Sequence, residues 1–290
     1  MDLIGANQRP GVDAGRAVLF AVLRPLSRAT QAGCWAAQPR MHMTQLVIPL
    51  AAVFLLGCSA NRRPQEPSYK GTSLSDWFER LPGPAVEFPQ TNEAIVALRS
   101  MGTNALPFML RAIASGETNK AAWKAVDGFY CLKDVAGPAV PELAKLLHDP
   151  ARAWPAAEAL GYLGRDGFQA LALGLTNASA SVRYKCALTF SGGAYELGIY
   201  STATNTPTFL QFQRDASVGV PALVAALQRP DNNKVHIAIL MALGQIRQSP
   251  EMVVPVLRAI AEDPSQTKGK RRNAELALAA FGEPEATASK

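Results

Sequence analysis

The sequence predicts an all-α protein, an α-solenoid of about six stacked helical hairpins, because two helical patterns alternate along most of the chain. The composition agrees with this class. Hydrophobic residues make up 48% of the 290 residues and aromatic residues only 7%. Ala and Leu dominate the apolar set, and both residues lose little entropy in a helix.

The first helix of each hairpin carries an apolar stripe around an anchor position. The anchors are Pro107, Pro141, Gln169, Pro221 and Pro255. Apolar residues stand one before, two after and six after every anchor, and three after all but the last, where Arg258 interrupts the column. This spacing places the apolar residues on one face of a helix.

The second helix of each hairpin carries a small residue followed by a large one. These pairs are Ala97-Leu98, Ala125-Val126, Ala159-Leu160, Ala187-Leu188, Ala242-Leu243 and Ala277-Leu278. The small residue allows close helix approach, and the large one fills the groove. Glycine follows the Ala by five residues at Gly102, Gly164, Gly192 and Gly282, where it is expected to end the helix. Asn104 and Ser249-Pro250 are expected to begin the helices that follow.

Units of about 30 residues with this pattern resemble HEAT repeats, especially the short bacterial kind. The segment SVRYKCAL, residues 181–188, is similar to that family's second helix, and the resemblance covers about residues 92–283, with an imperfect first unit over 74–101. It implies an α-solenoid over residues 72–283 that presents a surface to another protein. Some HEAT-fold hydroxylases bind iron through His-Glu pairs, but this chain contains no His-Glu sequence.

The N-terminal region contains an apolar run over residues 46–56 that is too short to cross a bilayer and is followed by Gly57-Cys58-Ser59. This pattern resembles the signal peptide of a bacterial lipoprotein precursor. The resemblance implies cleavage before Cys58 and lipidation of its thiol, so that residues 1–57 form a leader and residues 58–71 a flexible tether. The polypeptide start is Met1, Met41 or Met43. Ser59, rather than Asp, favours the outer over the inner envelope membrane, on the periplasmic side.

About 24 extra residues, 193–216, interrupt the repeats and are expected to form an inserted loop. This loop contains Tyr195, Tyr200, Phe209 and Phe212, which either form a partner-binding patch or hold the loop against neighbouring helices. Residues 284–290 are expected to be a disordered tail.

Basic residues in or before the second helices form the other candidate site. They are Lys120, Lys124, Arg183, Lys185 and Lys234. In HEAT proteins the second helices line the concave face, so these residues either offer a basic face to an anionic partner or are ordinary helix ends, with Arg183 in a salt bridge between repeats. The net charge is +6, but half of it lies in residues 1–40, so no nucleic acid partner is expected.

No catalytic motif, metal-ligand spacing or cofactor fingerprint is present in the sequence. Cys131 and Cys186 fall in apolar helices, where they are expected to act as small hydrophobic residues, and a disulfide between them stays open. The sequence therefore predicts a non-enzymatic interaction scaffold, bound to unidentified protein partners and lipid-anchored to a bacterial envelope. The alternatives are a ligand- or polysaccharide-binding module, or a HEAT-like enzyme of the bilin-lyase type.

Overall fold

The computed structural model describes residues 65–81, 92–192 and 207–282, all of which belong to one compact unit. The leader, Cys58, Tyr195, Tyr200 and the C-terminal tail lie outside the described residues. None of the helices in the described part is both long enough and apolar enough to span a membrane.

Helices make up nearly all of the described structure. They are α1 (Leu74–Glu79), α2 (Glu93–Met101), α3 (Leu106–Ala114), α4 (Lys120–Leu132), α5 (Val140–Leu146), α6 (Ala153–Gly161), α7 (Gly164–Gly174), α8 (Ala180–Phe190), α9 (Pro207–Ala216), α10 (Val220–Leu227), α11 (Asn233–Ile246), α12 (Pro250–Glu262) and α13 (Lys268–Ala280). Short 3₁₀ segments, Gly102–Ala105, Lys133–Ala139 and Ser217–Gly219, lead into α3, α5 and α10. A small antiparallel hairpin, Ser68–Tyr69 with Thr72–Ser73, precedes α1.

The helices form the six predicted pairs, so the predicted all-α solenoid is confirmed. The pairs are α1/α2, α3/α4, α5/α6, α7/α8, α10/α11 and α12/α13, and α9 is an additional helix. The second helices contact one another in the order α2, α4, α6, α8, α11 and α13, and the first helices α3, α5, α7, α10 and α12 also contact one another in turn. Each hairpin therefore shields its apolar face with its neighbours.

The predicted columns form the core of this stack. The first-helix residues two after the anchors, Met109, Leu143, Leu171, Leu223 and Leu257, are all 0% exposed. The Ala residues of the second-helix pairs are also buried. The two columns therefore meet in the space between the layers, where small and large side chains pack together.

Helix ends follow the prediction in part. Gly102, Gly192 and Gly282 have positive φ at or just after a helix end, which is the conformation expected of a glycine that ends a helix. Gly164 also has positive φ, but α6 ends at Gly161 and Gly164 is the first residue of α7. Asn104 does not cap α3, because it lies within the 3₁₀ segment that leads into that helix. Ser249 precedes α12 at the predicted place, but its side chain makes no capping hydrogen bond.

The inserted segment differs from the expectation of a loop over its described part. Residues Pro207–Ala216 form helix α9, which packs against α7 and α11. Its buried residues, Phe209, Gln213 and Ala216, follow a helical period. The extra helix therefore packs against one helix of each layer.

Candidate functional site

A cleft of about 450 Å³ opens where the inserted helix α9 faces the middle of the stack. Its walls come from the end of α4, from α6, from the start of α7, from the end of α8 and from α9. We call it the central cleft and define it by Tyr130, Asp134, Glu158, Tyr162, Phe212 and Asp215, with further residues between them. The volume is that of an ordinary small-ligand site.

Carboxylates dominate the charge of the central cleft. Asp134, Glu158 and Asp215 line it, whereas Lys133 is the one cation among its described lining residues. A Cβ atom placed on Gly164 would lie 3.7 Å from Oδ2 of Asp215 and 3.8 Å from Oδ1 of Asp134. Two carboxylates from different parts of the chain therefore converge beside the bare backbone of Gly164.

Glu158 is the most deeply placed of the three carboxylates. It lies on α6 between Ala157 and Ala159, and only 8% of its surface is exposed. Trp154 donates a long hydrogen bond to Oε1, with Nε1 at 3.4 Å. Burial raises the pKa of Glu158, and the Trp154 hydrogen bond opposes that rise only in part. The local helix thus holds a carboxyl group in a position where its ionisation is costly.

Aromatic rings form much of the remaining wall. Tyr130 and Tyr162 pack edge to face, with their ring centroids 5.2 Å apart. Phe168 and Phe212 pack in the same way, with centroids 5.6 Å apart. The first pair joins α4 to the end of α6, and the second joins α7 to α9. The cleft therefore combines negative charge with aromatic surface.

The predicted aromatic patch is divided by the structure. Phe209 is 1% exposed and packs near Phe212, with ring centroids 6.1 Å apart. The guanidinium of Arg247 lies 5.8 Å from the Phe209 ring. Phe209 thus has the alternative role considered from the sequence, which is to hold the inserted segment against the stack. Phe212 is partly buried and lines the central cleft.

Arg183 and Lys185 do not contribute to a basic surface, because only 8% and 7% of each residue is exposed. Arg183 pairs with Asp231 and also donates to the carbonyl of Asn177 at 2.6 Å. The expected inter-repeat salt bridge of Arg183 is therefore present. Arg183 holds the pKa of Asp231 below its usual range.

Lys185 joins three successive hairpins. Its Nζ donates to the Glu117 carboxylate at 2.6 Å and to the carbonyl of Pro150 at 2.8 Å. These groups lie in the turns of the α3/α4 and α5/α6 hairpins, while Lys185 belongs to α8. The indole of Trp154 lies 5.9 Å from the same ammonium. The geometry indicates a structural role for Lys185.

The other predicted basic residues are more exposed. Lys120 pairs with Glu79 at 2.7 Å, and Lys124 donates to the carbonyl of Leu81 at 3.1 Å. Lys234 lies exposed in the first turn of α11. With Arg183 and Lys185 buried, the predicted set does not form one exposed basic face.

Both cysteines are buried, and no disulfide joins Cys131 to Cys186. Burial raises the pKa of Cys186 to about 12, which disfavours its thiolate. Within the described ranges, no group of three or more His, Cys, Asp or Glu side chains could hold a metal ion.

Sequence reasoning passed over most of the central cleft. The sequence analysis singled out none of Glu158, Asp134 and Asp215 as a candidate site residue. One local signal could have marked Glu158, since a charged residue stands inside the small-residue run AWPAAEALG of a second helix. No comparable signal marks the aspartates, because their convergence depends on where α9 packs.

The fold and the cleft place the protein in the class of α-solenoids with an interrupted repeat. Within that class, residues 220–289 match the family model described as HEAT repeats. This match covers α10 to α13 and extends into the C-terminal residues. The resemblance inferred from the sequence pattern is thus supported independently in the last two hairpins.

A solved structure of human deoxyhypusine hydroxylase in complex with glycerol is also similar. The TM-score is 0.38 at 22% sequence identity, and the alignment covers 72% of this chain and 73% of that one. Similarity at that level supports no conclusion about this protein's activity. The comparison with curated proteins gives no match.

Proposed function

We propose that the protein is a non-catalytic interaction scaffold that binds its partner at the central cleft. The observation that carries the proposal is the convergence of side chains from five helices on one recess of ligand size, formed where the inserted helix α9 joins the stack. Conventional HEAT pairing accounts for the other helices, and α9 is the one described helix outside the six pairs.

The proposal includes a lipid anchor at Cys58 on the periplasmic side of a bacterial envelope membrane, with the outer membrane favoured. The short apolar run, Gly57-Cys58 and the polar segment that follows support this part. The solenoid would then be held near the membrane by a short tether, where it could meet other envelope proteins.

Site-specific photo-crosslinking in the native envelope tests the scaffold. A photoreactive residue at Thr208, which is exposed and lines the cleft, should yield a discrete protein adduct. The matched control is Leu210 on the same helix, which is 39% exposed but does not line the cleft. Equal labelling from both positions, or none from Thr208, would contradict the proposal.

An enzymatic function is the second candidate. The buried Glu158 carboxyl group favours it, because raised pKa values are common among catalytic acids. Turnover of any substrate that is lost in Glu158→Gln, while the fold is kept, would show that the protein is an enzyme and not a scaffold.

The lipid anchor is tested separately. Cys58→Ser should abolish labelling by a fatty-acid probe and release the protein from membranes, and unchanged partitioning would contradict the anchor.

A further inference from the structure

We propose that the central cleft binds a positively charged organic group, either an alkylammonium or a guanidinium. This inference rests on the proposed role of the cleft as a binding surface and adds the chemistry of what binds there. The shared chemistry is a cation with an apolar stem, carried by a free amine or by a Lys or Arg side chain of a partner.

The first support is the balance of charge. Among the described residues that line the cleft, Asp134, Glu158 and Asp215 are acidic and only Lys133 is basic. The two aspartates converge beside Gly164, where the absence of a side chain leaves the space between them open. An entering cation would therefore meet negative charge at the rim and again in the interior.

The second support is that Glu158 is buried without a cation. It is 8% exposed, and the long Trp154 contact at 3.4 Å is its one hydrogen bond from a described side chain. No described Lys, Arg or His makes a salt bridge with it, whereas the other buried charges, Arg183 and Lys185, have close ionic partners. A buried carboxylate is stabilised when a cation pairs with it. Glu158 lines the central cleft, so a cation can reach its carboxylate through this cleft.

The third support is the aromatic wall. Rings of Tyr130, Tyr162, Phe168 and Phe212 line the same recess. An ammonium or guanidinium is attracted to the face of such a ring while its stem packs on apolar surface. The protein contains one instance of this contact at the rim, because Nζ of Lys133 lies 5.2 Å from the Tyr130 ring centroid.

A divalent metal ion fits the site less well than an organic cation. The three carboxylates do not approach one another as metal ligands, since no described cluster of three acidic, His or Cys side chains could hold an ion. The cleft volume of about 450 Å³ also exceeds what a metal ion fills. Aromatic walls suit an organic stem.

Titration calorimetry with Nα-acetyl-L-argininamide and n-butylammonium chloride tests the inference on the purified protein. Saturable binding is expected for both, and the neutral isostere Nα-acetyl-L-citrullinamide should bind at least about tenfold more weakly than Nα-acetyl-L-argininamide. Glu158→Gln keeps the shape of the side chain but removes its charge, and should weaken binding about tenfold or more. Glu142→Gln, in an exposed ion pair with Lys145, is the matched control and should bind as the wild type does.

Lys133→Met is a second variant that acts in the opposite direction. Removing the resident ammonium from the rim should strengthen cation binding several-fold, because a like charge is lost. Circular dichroism must show unchanged helicity in each variant. Absence of saturable binding at millimolar cation, equal binding of Nα-acetyl-L-citrullinamide and Nα-acetyl-L-argininamide, or an unchanged affinity in Glu158→Gln would each overturn the inference.

Peptides distinguish the two sources of the cation. Tighter binding of acetyl-Gly-Arg-Gly-amide or acetyl-Gly-Lys-Gly-amide than of the free cations assigns the cleft to a partner's side chain, and the reverse assigns it to a free amine. If adducts still form from Thr208 but no cation binds, the ligand chemistry is wrong and the scaffold proposal stands. If cations bind but no adduct forms, the protein-partner proposal fails.

Discussion

The ammonium of Lys185 lies 2.6 Å from Oε2 of Glu117, although the two residues are 68 positions apart in the chain. The Lys185 side chain is 8% exposed and that of Glu117 is 34% exposed. The same ammonium donates to the Pro150 carbonyl in the intervening hairpin. One side chain thereby fixes the relative position of three successive hairpins.

Replacing Lys185 with Met should destabilise the protein by about 2–3 kcal/mol, because a partly buried carboxylate and a carbonyl lose their partner. Urea unfolding followed by circular dichroism measures the change. Lys145→Met is the control, since Lys145 pairs with Glu142 on the surface and should cost less than about 0.5 kcal/mol. An equal loss of stability in the two variants would show that Lys185 does not hold the hairpins together.

Arg183 and Asp231 form a second ion pair between hairpins. The two residues lie on either side of the inserted segment in the chain. Asp231→Asn should destabilise the protein by about 3 kcal/mol at neutral pH, because Arg183 is left buried without its counter-charge.

The dependence on pH follows from the lowered pKa of Asp231. The stabilisation of the folded protein by this ion pair is complete above pH 3.8, the usual aspartate pKa. It is lost as the pH falls through the lower pKa that Asp231 has in the folded protein. The difference in the free energy of unfolding between the wild type and Asp231→Asn should therefore shrink below pH 3.8. A difference independent of pH would contradict the ion-pair account.

The contribution of Asp127 to stability should have the opposite pH dependence to that of Asp231. Burial raises its pKa from 3.8 to about 6, although Lys124 acts to lower it. A raised carboxyl pKa means that stability is lost as the pH rises from 3.8 through about 6. Asp127→Asn should therefore be more stable than the wild type at pH 7.5, by about 1 kcal/mol after allowance for solvent screening. Thermal unfolding should show no gain below pH 3.8, and a gain that persists there would refute the assignment.

Gly167 tests the close packing of α6 and α7. A Cβ atom at this position would overlap the carbonyl oxygen of Leu160, which belongs to the helix backbone and cannot move freely. Gly167→Ala should therefore destabilise the protein by about 3 kcal/mol, despite the better helix propensity of Ala. Gly137→Ala is the matched control, because nothing lies within 4 Å of its Cβ position. Similar unfolding midpoints for the two variants would contradict this packing.

The repeat architecture could be predicted from the sequence because it depends on local periodicity. Residues such as Leu143 and Ala159 are buried because their positions recur in every unit, and the glycines that end second helices follow the same spacing. Such signals do not require knowledge of distant contacts.

The central cleft could not be predicted in this way, because it depends on a break in the repeat. Asp215 meets Asp134 only because α9 packs against α7, and the segment that contains α9 has no counterpart in the other units. The structural role of Lys185 was missed for a related reason, since the sequence offered only a basic face or an ordinary helix end for this residue. Its partner Glu117 is two hairpins earlier, and the pairing is not encoded in the residues around Lys185.

A crystal structure of the protein grown with saturating Nα-acetyl-L-argininamide tests the central claim most directly. The account predicts that the guanidinium lies in the central cleft, within hydrogen-bonding distance of the Glu158 carboxylate and against the ring of Tyr162 or Phe212. An empty cleft, or a ligand bound elsewhere with Glu158 still without a cationic partner, would contradict it.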